Sequence, residues 1–167
     1  MVDASQALGK MAIDVKNLNC DFLILAGHKF YAPRTGALWV REPAKLEPLL
    51  FGGNQEFGLR SGTENVADAV GLATAAELVT TDLELQIQKL KSTRDRLFEG
   101  LKKLSNVTLL SAEPMLPNTL LVSIPGVSKK LDHLRKKIIF STGAACHSGA
   151  TVSEVLSRLS KRFMKAS

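Results

Sequence analysis

Asp21-Phe22-Leu23-Ile24-Leu25-Ala26-Gly27-His28-Lys29 is the stretch on which the fold reading turns. Its continuous apolar run has the length of a strand and the pattern of one buried on both faces, as in a parallel sheet covered by helices. Gly27-His28-Lys29 ends the run. Downstream, Gly36-Ala37-Leu38-Trp39-Val40-Arg41 reads as a second strand, bounded by Pro33 and Pro43. Upstream, Asp3 and Gln6 sit at the end of what reads as another strand. Leu49-Leu50-Phe51-Gly52-Gly53 opens a polar, glycine-bearing loop that runs to Gly62, and loops that long in a compact domain are usually functional or mobile.

From Asn65 to Thr80, small apolar residues recur at helical spacing: Val66, Ala69, Val70, Ala73, Ala76 and Val79. Thr63 is read as the N-cap of this helix, with Glu64 in its first turn. Thr80-Thr81-Asp82 predicts a break and a fresh cap. Beyond it, Leu83, Ile87, Leu90, Leu97, Leu101 and Leu104 form an amphipathic seam, with Arg94 in the slot where one more apolar residue belongs. Two strand-like runs follow, Val107-Thr108-Leu109-Leu110 and Thr119-Leu120-Leu121-Val122-Ser123-Ile124, and then a basic helical stretch from Lys130 to Lys137. A small-residue loop, Gly143-Ala144-Ala145-Cys146-His147-Ser148-Gly149, precedes a basic amphipathic tail. Strands alternating with helices give an α/β class.

Composition narrows the function classes. The 167 residues carry a net charge of +6 with 45% hydrophobic and 23% charged residues, the balance of a globular chain. No apolar run approaches the roughly 18 residues of a membrane span, and the first residues lack a signal peptide's basic start. Cys20 and Cys146 stand far apart and make no disulfide framework, so a reducing, cytosolic setting is expected. The sequence pI near 9.5 invites a nucleic-acid reading. Aromatics are only 5%, however, and none sits among the basic clusters as a stacking platform, which leaves solvated helix faces as the simpler account. No membrane and no nucleic-acid partner is expected. Two Cys and three His never approach a paired ligand spacing, so no metal site is expected.

A few residues can carry chemistry. Lys29 follows a buried strand at the end that borders the ligand crevice of open α/β sheets, where a desolvated amine can form a Schiff base. Taken alone, an ordinary surface role is the simpler one. Cys146, beside His147 and Ser148, sits where a thiolate can be exposed and stabilised, whereas Cys20 before its strand reads as a packing residue.

Together the residues say more. Asp3-Ala4-Ser5-Gln6-Ala7-Leu8-Gly9, Gly27-His28-Lys29-Phe30-Tyr31-Ala32-Pro33-Arg34-Thr35-Gly36-Ala37-Leu38, Arg60-Ser61-Gly62-Thr63-Glu64-Asn65 and Gly143-Ala144-Ala145-Cys146-His147-Ser148 occur in that order. In combination they resemble the class V aminotransferase family of pyridoxal-phosphate enzymes, the cysteine desulfurases and selenocysteine lyases. Gly-His-Lys-Phe-Tyr and Gly-Ala-Ala-Cys-His-Ser look most like the selenocysteine lyases.

The resemblance implies a partial fold type I architecture for pyridoxal-phosphate-dependent transferases. Residues 1–64 would be the C-terminal part of the large cofactor domain, 65–82 a linker helix, and 83–167 a small α/β domain bearing the cysteine loop. It also implies roles: Lys29 as the Schiff-base lysine, Asp3 on the pyridine nitrogen, Gln6 on the phenolic oxygen and His28 as the phosphate-side neighbour. Thr63 would reach the phosphate of the other subunit of a homodimer, and Cys146 would meet the leaving selenium or sulfur. The implied substrate is selenocysteine or cysteine, with a selenium or sulfur acceptor protein as a further partner. The family's phosphate-binding loop and ring-stacking histidine lie upstream of the Asp3 motif. Its substrate-carboxylate arginine follows the cysteine loop, where no matching motif occurs. The expectation is therefore a truncated chain with an incomplete site, either an enzyme by family or a non-catalytic dimer partner.

Overall fold

The computed structural model describes residues 1–43, 46–104, 106–111, 113–124, 126 and 131–141. The Cys146 loop and the basic tail lie outside the described residues. The chain falls into two compact units, residues 1–97 with 114–119, and residues 98–113 with 120–167.

The first unit is built on a three-stranded sheet in the order β1 (Val2–Asp3), β2 (Phe22–Ala26), β3 (Gly36–Val40). β1 runs parallel to β2, with Val2 opposite Leu23 and Asp3 opposite Ile24, while β3 returns antiparallel from Phe22 opposite Val40 to Ala26 opposite Gly36. The apolar run therefore forms the predicted strand, at the centre of the sheet. Its burial is less complete than expected. Leu23 is 2% exposed in a cluster with Ala4 and Cys20, and Val2, Ala7, Ile13, Val15, Leu25 and Trp39 pack around it. Phe22, Ile24, Leu25 and Ala26 are only half-buried, so Leu23 is the one residue of the strand that is fully covered.

α1 (Val66–Thr81) has its cap two residues later than the one expected at Thr63. Asn65 takes that role: its side-chain oxygen accepts the Asp68 backbone N–H at 3.2 Å, and its Nδ2 donates to Asp68 Oδ2 at 2.8 Å. Asparagine is at least as good a cap as threonine, and an acidic residue three positions on completes the reciprocal pair. The expected break falls at Asp82, after which α2 (Leu83–Lys102) starts.

α1 makes close approaches to the sheet turns at glycines. A Cβ on Gly71 would lie 2.9 Å from Pro33 Cγ, and one on Gly9, whose φ is +75°, would lie 2.9 Å from Val79 Cβ. Gly27 is the tightest: an added Cβ would meet Pro33 O at 2.6 Å, Leu72 Cδ1 at 2.8 Å and Thr35 O at 2.8 Å. Two of these neighbours are backbone and cannot swing away. Gly27→Ala is accordingly expected to destabilise the chain by about 1–3 kcal/mol, the usual cost of overpacking, read as a lower urea midpoint. The rest of α1 is apolar on its outer side as well, with Val66, Val70 and Leu78 all exposed.

Arg94, which interrupts the leucine seam of α2, is buried. Its Nη1 donates to the Leu116 carbonyl at 3.2 Å, while Nε and Nη2 reach Asp95 Oδ1 at 2.9 and 2.8 Å. A buried guanidinium is tolerable only with partners of this kind. In the second unit, β4 (Thr108–Leu109) pairs antiparallel with β5 (Val122–Ser123), and α3 (Leu131–Arg135) follows. Both strands are shorter than their apolar runs. The pairing continues as Leu110 N–H to Leu121 O at 2.8 Å, but the Leu121 N–H is then taken by Ser111 Oγ at 3.0 Å. No helix among the described residues is long and apolar enough to cross a membrane.

Candidate active site

Because β1 and β2 are parallel, their C-terminal ends lie on one edge of the sheet, the edge where open α/β sheets receive ligands. Asp3 ends β1. A short 3-10 turn, Gly27–Lys29, follows β2 directly and carries His28 and Lys29, both exposed, over the buried Gly27. The Phe30 N–H closes this turn on the Gly27 carbonyl at 2.9 Å, and the Phe30 side chain is buried, which pins the backbone next to Lys29.

After β1 the chain coils. The Ala7 N–H donates to Ala4 O at 2.9 Å, and the Lys10 and Met11 N–H groups donate to Ala7 O at 2.9 and 3.0 Å. In such turns residues four apart share a face, which brings Lys10 beside Gln6. Lys10 Nζ donates to Gln6 Oε1 at 3.2 Å and to the backbone carbonyl of Lys29 at 3.4 Å. One ammonium thus ties the segment after β1 to the segment after β2. Gln6, Lys10 and Lys29 are thus joined, and Asp3, at the end of β1, completes the group at the same edge of the sheet.

The charges in this group are set by their neighbours. The Ser5 hydroxyl, and then the Ser5 backbone N–H at 2.9 Å from Oδ1, hold the Asp3 carboxyl below its ordinary value. Asp3 is solvent-exposed, so any link to stability is small. Its sign is that of a depressed acid: the contribution is present above the unfolded value and is lost as pH falls through the folded one. Ser5→Ala is expected to move the Asp3 midpoint part of the way back up, since the backbone donor remains. A carboxyl-carbon NMR titration reads this directly. The Lys10 amine is lowered, by partial burial first and by the charge of Lys29 second.

Chemically the group offers an amine, an ionised carboxylate and an amide. That set suits a ligand with a carbonyl carbon, an N–H or O–H donor and an anionic oxygen. Thr63 is exposed on the loop ahead of α1, and no hydrogen bond among the described residues joins it to the group. Cys20 is buried in the core, as expected of a packing residue, and Cys146 lies outside the described residues. Among the described residues no group of His, Cys, Asp and Glu could hold a metal ion. Sequence reasoning missed Lys10. Its spacing of four from Gln6, just after a strand, was the available signal.

Comparison with known proteins identifies the family. The family "Aminotransferase class-V" matches residues 1–167. The chain is 46% identical over 154 residues to the cysteine desulfurase IscS of Methanosarcina thermophila, covering 89% of this chain and 38% of that protein. It is 43% identical over 159 residues to the selenocysteine lyase of Homo sapiens, covering 87% of this chain and 36% of that one. Among solved structures, a NifS-like protein superposes with a TM-score of 0.72 at 36% identity, over 80% of this chain and 37% of its own. SspA in complex with cysteine superposes with a TM-score of 0.71 at 32% identity, over 94% of this chain and 44% of its own. The chain thus spans well under half the length of these relatives, and the architecture it shares with them is part of the type I fold. The chain belongs to the aminotransferase class-V family.

Proposed function

We propose that this chain carries the lysine side of a pyridoxal-phosphate-dependent lyase site that removes selenium from selenocysteine, or sulfur from cysteine, and leaves alanine. Enzymes of this family depend on pyridoxal phosphate. The observation that carries the reading is the gathering of Asp3, Gln6 and Lys29 at the C-terminal ends of adjacent parallel strands.

The residues fit the group. When bound, pyridoxal phosphate supplies an electron sink for the substrate's Cα electrons. The Lys29 amine would hold its aldehyde carbon and move the proton at Cα. Asp3, kept ionised by Ser5, would hold the ring N–H, and the Gln6 amide would donate to the phenolic oxygen. His28 stands beside Lys29 on the phosphate side in this reading, and Thr63 reaches the phosphate held by a second subunit. Cys146 would take the chalcogen as its bond to Cβ breaks, with the bond electrons going to Cβ and a proton completing alanine. The chalcogen then passes to an acceptor protein. A cytosolic location belongs to the same reading, as does a division into residues 1–64, a linker helix 65–82 and residues 83–167.

Homodimer formation is supported by exposed apolar residues: Leu49, Phe51 and Phe57 on the loop ahead of α1, and Val66, Val70 and Leu78 on α1 itself. Exposed apolar patches of this kind mark association surfaces. They equally favour the second reading, a non-catalytic subunit that pairs with a complete one.

Alanine release from selenocysteine and from cysteine, measured on the chain supplied with pyridoxal phosphate, tests these readings. Alanine from selenocysteine supports the lyase. Alanine from cysteine, with sulfur retained on Cys146 and lost in Cys146→Ser, supports a desulfurase. Cofactor held without alanine from either would favour the partner reading.

A further inference from the structure

Lys10 is the one member of the sheet-edge group to which the proposed function gives no role, yet it makes the contacts that join Gln6 to Lys29. Its ammonium has two acceptors, Gln6 Oε1 at 3.2 Å and the Lys29 carbonyl at 3.4 Å, contributed by the segments after two different strands. An ammonium has donors and no acceptor, so only the oxygen end of the Gln6 amide can face it. The opposite end, the NH2 group, must then face away. Gln6 is itself exposed and has no other hydrogen bond among the described residues that would choose between its two amide orientations.

We infer that Lys10 is a positioning residue: it fixes the polarity of the Gln6 amide, so that the NH2 faces outward as a donor, and it anchors the Lys29 backbone to the same point. The requirement is physical. An anionic ring oxygen needs a donor, and an unrestrained amide presents its carbonyl oxygen in one of its two orientations. A single cation on the oxygen removes that orientation. The second bond couples the turn that carries Lys29 to the turn that carries Gln6, so the amine and the amide keep their spacing. Partial burial of Lys10 beside Lys29 raises the cost of holding this charge, and the two acceptors offset it.

The inference rests on the proposed function for what the NH2 would meet, but not for the amide orientation itself. The test is therefore run first on the chain without added cofactor. The Gln6 side-chain NH2 resonances are recorded by 15N NMR in the wild type, Lys10→Met and Lys10→Arg, with Gln6→Ala for assignment. The expected result is one well-defined pair of NH2 signals in the wild type. They should shift towards free-glutamine values in Lys10→Met and be retained in Lys10→Arg, which keeps a cationic donor. Signals unchanged by Lys10→Met would overturn the inference.

Pyridoxal phosphate is then titrated into the same proteins and the Gln6→Ala/Lys10→Met double variant. Lys10→Met is expected to weaken binding about tenfold, the scale of one charge-assisted hydrogen bond. The double variant should lose less than the sum of the two single losses, because part of the effect of Lys10 passes through Gln6. Additive losses would overturn the coupling. Binding unaffected by Lys29→Ala would instead count against the proposed function, and the amide signals would still decide the role of Lys10.

Discussion

Lys29→Ala is expected to reduce borohydride-trapped incorporation of pyridoxal phosphate to the background level of the chain's surface lysines. The expectation rests on position. Lys29 ends the turn directly after β2, with its backbone held by the buried Gly27 and Phe30 on one side and by Lys10 on the other. Lys29 stands at the end of the sheet where Asp3 and Gln6 also lie, so its amine and those two side chains can meet one ligand together, which the exposed lysines of α2 and the other surface segments cannot do. Lys29→Arg should fail equally, since a guanidinium keeps the charge but is no nucleophile. The measurement is the reduced adduct per chain, read by intact mass with circular dichroism on each variant. Equal incorporation in wild type and Lys29→Ala would remove the case for a site at this edge.

Leu23→Ala is expected to cost about 2–5 kcal/mol, the range for deleting a buried leucine side chain without full collapse of the cavity. Leu23 is 2% exposed at the centre of the cluster that joins β1, β2 and the segment before β2. Against a typical stability of about 5–15 kcal/mol, such a loss leaves the chain marginal or unfolded. The reason is the small size of the core: the other buried apolar residues described are Ala4, Cys20 and Phe30, so Leu23 carries much of the burial. Leu23→Met, which conserves volume, should cost less than about 1.5 kcal/mol. Urea unfolding of the three proteins tests the contrast. It also separates a packing effect from a site effect, because pyridoxal phosphate incorporation by Leu23→Met should match the wild type.

What was legible in the sequence had local causes. The run Phe22–Ala26 could be read as a strand because its apolar residues are contiguous, and the helix break at Asp82 because polar residues interrupt the period. Thr63 and Asn65 both favour the cap position by residue type; the Asp68 N–H, which Asn65 Oδ1 accepts, decides for Asn65. Arg94 could be seen as a gap in the leucine seam, but its reason could not, since the carbonyl it satisfies belongs to Leu116, 22 residues on. The candidate site divides the same way. Asp3, Gln6 and Lys29 stand in motifs that resemble a known family, whereas Lys10 acts through a carbonyl 19 residues away. The exposure of Val66, Val70 and Leu78 on α1 has no signal in the sequence, because small apolar residues at helical spacing look the same whether both faces are covered or one.

The central claim is that Lys29, and no other lysine, is the amine presented at this sheet edge. Lys10 is its fair rival, since burial and the Lys29 charge lower its amine and leave more of it neutral. The direct measurement is to treat the wild-type chain with pyridoxal phosphate, reduce with borohydride, digest, and locate the pyridoxyl group by peptide mass spectrometry. The account predicts the label on the peptide at Lys29. A label on Lys10, or one spread over the exposed lysines, would contradict it.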